Sequence, residues 1–219
     1  MWSRQNRKTP NPDESRVLVV ISTVVLMTLT FIAVAIFAHP EDRPIDYHFY
    51  SERGLVTGLS AFFLAAASSF AIATSIGLTQ DGDVHRWPWL LMAVGFMFLS
   101  LDETVQFHER VGSFIGDRFD SGGFRNWNDI IVLAYGAIAL PILLKLFPAI
   151  KPFPVTMKLL GAAFVLYAIH TGIDSTQSPP TPLSRILEES AKLLCGAMLA
   201  LSMFFGFYRS KPSSGQSTD

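Results

Sequence analysis

With 219 residues, half of them hydrophobic and only 16% charged, the chain is too apolar for an ordinary soluble domain and reads as an all-α integral membrane protein. Acids and bases nearly cancel to a net charge of -1, so no global field would draw nucleic acid. A single cysteine, Cys195, excludes an internal disulfide and a cysteine-held zinc, leaving His and carboxylates as the available metal ligands.

Residues 1–16 form a basic leader with Arg4, Arg7, Lys8 and Arg16. The apolar run 17–38 is longer than a signal-peptide core and, despite the cleavage-like Ala33-Val34-Ala35, is expected to remain as an anchor. A polar loop follows, in which Tyr47, His48, Phe49 and Tyr50 suit a membrane interface. The second span, 54–78, is rich in small residues such as Ala65, Ala66, Ala67, Ser68 and Ser69, which favours a central packing position. Asp81-Gly82-Asp83 marks a turn, and Trp87-Pro88-Trp89 opens a third span read over 87–109. Beyond it, Val111, Phe114, Ile115 and Phe119 recur at helical spacing, as in a short segment lying on the membrane surface.

The fourth span covers 128–147, with Pro141 expected to kink it, and a proline-rich connection from Pro148 to Pro154 ends it. The fifth covers 157–176. Thr181 is placed to cap the sixth, 182–208, with Pro182 at its first position. The tail 209–219, rich in Ser, Pro and Gly, is expected to be disordered.

Placing the N-terminus of this six-span bundle in the cytoplasm puts Arg4, Arg7, Lys8, Arg16, Arg86, Lys145, Lys151, Lys158, Arg209 and Lys211 inside. Arg43, Arg53, Arg110, Arg118, Arg125 and Arg185 then lie outside. The excess predicts cytoplasmic termini, in a bacterial inner membrane.

Ionisable residues recur inside the third, fifth and sixth spans, where such groups are costly and point to function. Counted from the cytoplasmic boundary at 1.5 Å per residue, His170 lies at roughly 18 Å, Asp102 and Glu103 at about 21 Å, and Asp174 and Lys192 at about 24 Å. His108, Glu109, Glu188 and Glu189 lie at about 30 Å. Three separate segments thus place His or carboxylates in the outer half of the membrane. On a continuous helix Asp102, Gln106 and Glu109 share a face, His170 and Asp174 share another, and Glu188 and Lys192 form an i,i+4 pair. His108 then points more than about 90° away from Asp102, and joins the others only if the helix breaks near residue 105.

Carboxylates with imidazoles suit a divalent metal, Zn, Fe or Mn, and helical bundles build such sites from inward-facing side chains. The expected metal ligands are Asp102, Glu109, His170 and Asp174, with Glu103 or Glu189 as general base on a metal-bound water, and His108, Glu188 and Lys192 as secondary candidates. The activity expected is that of a metal-dependent membrane hydrolase or oxidoreductase, with membrane lipid or another hydrophobic small molecule as substrate. The usual Glu-x-x-His spacing is missing, and so is the H-x-x-x-H pair of the ceramidase-like membrane hydrolases.

Plainer readings exist for each group. Ser100-x-x-Glu103 has the spacing of a capping box that would start a new helix at the surface. Glu188 and Glu189 could be a solvated helix start, with Lys192 neutralising Glu188. His170 could be a packed histidine, Cys195 a packing residue, and His39, His48 and His85 solvated. Two other functions fit the same residues: a small proton- or cation-coupled transporter, or a non-catalytic partner subunit whose polar groups fix helix packing.

Overall fold

The computed structural model describes residues 14–50, 54–79, 86–119, 127–176 and 181–210. Among them, all regular structure is helical: α1 (Glu14–Phe37), α2 (Tyr47–Tyr50), α3 (Leu55–Thr79), α4 (Arg86–Val105), α5 (Phe107–Phe119), α6 (Trp127–Ile150), α7 (Pro154–Thr176) and α8 (Pro182–Ser210). Helices α1, α3, α4, α6, α7 and α8 are long and apolar enough to cross a membrane. The protein is an all-α integral membrane protein. The first thirteen residues, the Asp81-Gly82-Asp83 turn, His85 and the tail from Lys211 lie outside the described residues.

Helix α8 is the spine. It packs against α7 on one side and α3 on the other, α3 packs against α4, and α1 and α6 lie at the periphery. Small residues let α3 approach both neighbours closely: Ala67 and Ala71, one turn apart, are wholly buried in a cluster with Trp89, Ala93, Ile150, Leu160, Ala200 and Met203. Hydroxyls then bond across the helices, where no water competes. Ser68 Oγ donates to the Ala93 carbonyl at 2.8 Å, and Thr156 and Ser202 each donate to the other's carbonyl, at 3.1 and 3.0 Å.

The outer helices look different. On α6, Leu133, Ile138, Leu144 and Phe147 are exposed, as a lipid-facing surface requires. This helix runs unbroken through Pro141 and on through Pro148 to Ile150, three residues beyond the expected end. Tyr167 ties it to α7 by donating to the Val132 carbonyl at 2.9 Å.

The chain ends that flank the polar cluster are also fixed. Thr181 caps α8 as its place before Pro182 predicts: its hydroxyl accepts from the Ser184 amide at 3.1 Å, and Ser184 Oγ accepts from the Thr181 amide at 2.9 Å. One turn on, Arg185 reaches Asp46 before α2, with Nη1 to Oδ2 at 3.2 Å and the Asp46 side chain almost fully buried. The segment after α1 is thereby fastened to the start of α8, near the level of the ionisable groups.

Candidate functional site

The site begins where α4 ends. Ser100 lies within the helix, its hydroxyl donating to the Ala61 carbonyl of α3 at 2.9 Å, and Thr104 donates back to the Ser100 carbonyl at 2.9 Å. Ser100 is therefore a packing contact, and the capping-box reading of Ser100-x-x-Glu103 does not hold. Helix α4 stops at Val105 because Gln106 takes a left-handed φ of 60°. The span expected to run through Glu109 ends there, and a new helix, α5, starts at Phe107.

A left-handed residue that is not glycine costs about 1–2 kcal/mol. Asp102 offsets that. Its Oδ1 accepts from the His108 amide at 2.9 Å, and its Oδ2 lies 2.8 Å from His108 Nδ1. The His108 amide is one of the first-turn donors of α5 that no helical carbonyl reaches, so the carboxylate caps the helix at its positive end. The break turns His108 back onto the residue that a continuous helix would have pointed it away from.

Glu103, the next residue along, meets α8. Lys192 Nζ lies 2.9 Å from Glu103 Oε1 and 2.8 Å from Glu189 Oε2, and donates to Glu189 Oε1 at 2.9 Å. One ammonium is thus held by two carboxylates from two spans, about 15 Å along α8 from its start. On α7, His170 Nδ1 is 3.7 Å from Glu188 Oε1, too far for a hydrogen bond. Asp174 lies near Glu189, and His170 near His108. Nδ1 of His170 and the hydroxyls of Tyr135 and Ser190 are buried with no hydrogen-bond partner among the described residues.

Counted as ionised, the groups on Lys192 do not cancel. Glu103 and Glu189 bring two negative charges to the single positive charge of Lys192, and in a medium of low dielectric such an excess calls for a proton or a cation.

His108 sits outside the spans, on α5, and its titration can be followed. Burial alone would lower its affinity for a proton, but the hydrogen bond and charge of Asp102, helped by Glu109 and Glu103, hold it above the ordinary imidazole value. A raised folded-state value means that the stabilisation is complete below the ordinary value, about 6.5, and is lost as pH climbs through the folded-state one. We expect the stability difference between wild type and His108→Gln to be largest near pH 6 and to shrink as the pH is raised. Thermal unfolding of the two proteins as the pH rises checks this; a difference independent of pH would show that His108 carries no charge in the contact.

A protein-family model matches residues 17–206, from the first turn of α1 to the last turns of α8. The chain belongs to the family described as Domain of unknown function (DUF8692). No curated protein and no solved structure matches it. The match to the DUF8692 family covers all the residues of the ionic cluster.

Within this DUF8692 chain, the residues singled out from sequence gather at one end of the bundle, but as ion pairs and not as a ligand shell. Among the described residues no three of His, Cys, Asp and Glu are grouped so as to hold a metal ion. The expected quartet of Asp102, Glu109, His170 and Asp174 is not assembled. Both oxygens of Asp102 are engaged by His108, His170 turns to Glu188, and the break at Gln106 takes Glu109 off the Asp102 face, leaving it 3.9 Å from His108 Nε2. Glu103 and Glu189, expected as bases, both bind Lys192, which becomes the centre of the cluster. The expected i,i+4 pair of Glu188 with Lys192 gives way to the i,i+3 pair with Glu189, because Glu103 on α4 draws the ammonium to that side. Sequence reasoning missed Tyr135 of α6, whose hydroxyl senses the Asp102 charge, and the Asp46–Arg185 tie. An isolated tyrosine in an apolar run and a lone loop aspartate offer no spacing that would have revealed either.

Proposed function

We propose that the protein is a small carrier that couples the movement of a monovalent cation to that of protons. The observation that carries this is the Lys192 ammonium shared by Glu103 of α4 and Glu189 of α8 within the apolar belt. Movement of Lys192 wholly onto one carboxylate would release the other to take up a proton or a cation. Ionisable groups in spans mark proton relays and ion paths more often than structural glue. Orphaned polar atoms on Tyr135, His170 and Ser190 add donors and acceptors that a moving ion or its water could use. A metal-activated water has less support, since the carboxylates are committed to Lys192 and His108.

In the orientation that accompanies this reading, Arg16, Arg86, Lys151, Lys158 and Arg209 face the cytoplasm of a bacterial inner membrane. The cluster then opens outward.

The test is reconstitution. Proteoliposomes loaded with a pH-sensitive dye are given an inward gradient of Na⁺ or, separately, K⁺. We expect internal pH to shift faster than in protein-free liposomes with at least one of the two ions, and Glu103→Gln to abolish the shift. Equal shifts in wild type, Glu103→Gln and empty liposomes would reject the carrier.

A further inference from the structure

Helix α2 and the start of α3 enclose a groove of about 510 Å³ that shares no residue with the ionic cluster. Its size is that of an ordinary ligand site, about 300–1,000 Å³. One end is polar, lined by Tyr47 and His48 of α2, whose rings meet edge to face with centroids 5.1 Å apart. The other end is apolar: Leu55, Leu59 and Phe62 follow the first turns of α3, and Leu55 and Phe62 are exposed as lipid-facing residues are. From Leu55 to Phe62 is about 10 Å of helix, so a groove that opens where α3 enters the membrane reaches down to the acyl chains. Gly58 lies between them, and a Cβ built on it would meet no atom within 4 Å. Glycine inside a helix costs about 0.8–1 kcal/mol against alanine, and here no neighbouring helix uses the space it leaves. The wall opposite is held in place, since Phe49 of α2 is buried with Ile32, Ala35, Val56 and Leu193, Asp46 is tied to Arg185, and His48 Nε2 lies 3.4 Å from the Ala38 carbonyl. The rim carries both signs of charge. The Arg43 guanidinium sits 5.6 Å from the centre of the Tyr47 ring, and its Nε is 3.7 Å from Asp42 Oδ2, both side chains being exposed. So loose and solvated a pair contributes little, which leaves each charge open to another partner.

We propose that this groove holds one zwitterionic glycerophospholipid, with an acyl chain laid over Gly58, its phosphate on Arg43 beside Tyr47 and His48, and its ammonium toward Asp42. The order of the groove, charged rim, aromatic and imidazole neck, apolar trough, is the order of such a lipid from headgroup to tail. Mixed charge selects the headgroup. Asp42 and the neighbouring Glu41, both exposed, would repel a headgroup of net negative charge, whereas phosphatidylethanolamine offers a phosphate to the arginine and an ammonium to the acids. The site stands apart from the carrier reading, because lipid can bind here whether or not ions move through the cluster.

Native mass spectrometry of the full chain tests this, with protein released from micelles that contain equal amounts of phosphatidylethanolamine and phosphatidylglycerol bearing the same acyl chains. We expect wild type to keep one phosphatidylethanolamine and to prefer it severalfold over phosphatidylglycerol. Gly58→Phe sends a side chain into the open space of the groove, so the protein should fold with wild-type helicity and lose the lipid. Arg43→Gln changes an exposed residue outside the helices and should weaken retention of phosphatidylethanolamine about tenfold, the loss expected of one charge-assisted bond. If Gly58→Phe does not fold, Arg43→Gln decides alone. Equal retention of the two lipids, or phosphatidylethanolamine kept at the wild-type level by Arg43→Gln or by folded Gly58→Phe, overturns the proposal. So does a lipid-free dimer that Gly58→Phe takes apart, which would make the groove a contact between two copies of the chain.

Discussion

Replacing Lys192 with Met should be the most damaging single change in the bundle. The substitution keeps the length of the side chain and deletes the ammonium that Glu103 and Glu189 share, so two carboxylates are left facing one another with little water between them. Removing one partner of a buried ion pair typically costs about 3–5 kcal/mol. Lys192→Met is therefore expected to lower the denaturation midpoint in detergent sharply. The double variant Lys192→Met with Glu103→Gln should recover a large part of the loss, because it removes one of the two stranded charges. A Lys192→Met protein as stable as wild type at neutral pH would mean that the triad contributes nothing to holding α4 against α8, and that the two carboxylates are solvated or protonated already.

The second large effect is expected far from the charges. Gly206 of α8 lies against Trp89 of α4, and a Cβ placed on it would come 2.5 Å from two atoms of the indole ring. Trp89 is fully buried. Phe153 packs edge-on against it with ring centroids 5.1 Å apart, and Ala67, Ala71 and Ala93 belong to the same cluster, so the ring has no direction in which to retreat. Overpacking of this kind costs about 1–3 kcal/mol, and Gly206→Ala should fall toward the upper end. Its partner offers a control. Trp89 Nε1 is buried without a hydrogen-bond acceptor, so Trp89→Phe gives up no polar contact, and its smaller ring makes room for the new methyl. Gly206→Ala with Trp89→Phe should unfold at a higher temperature than Gly206→Ala alone. If the double variant is no better, the clash is relieved by movement of α8 as a whole and not by the ring.

The elements of the fold were legible because membrane spans obey length and hydropathy, which a linear sequence states directly. Loop lengths and the rise per residue also set the height of each charged group, so the convergence of Glu103, Lys192 and His170 at one end of the bundle could be reckoned without coordinates. Rotation about the helix axes could not. Asp102 and Glu109 share a face only on an unbroken helix, and Gln106 breaks it although glutamine carries none of the usual signals of glycine or asparagine for a left-handed residue. The compensation comes from Asp102 four residues earlier, a contact that exists only once the turn has formed. Lys192 tells the same story on α8. Glu188 and Glu189 are both within local reach, and the choice between them was made by Glu103, a residue on another helix. Tertiary partners decided each of these pairings, and only the height was local.

The position of α8 as the spine bears on how the bundle is made. It follows the other five spans along the chain, and a ribosome delivers it after them. Until it arrives, α7 lacks its main partner and α3 one of its two, and Glu103 waits in the bilayer without its counter-ion. Closure of the bundle around α8 accordingly comes after α3 and α4 can already pair, and a nascent chain stalled before Pro182 should be a ready substrate for membrane proteases.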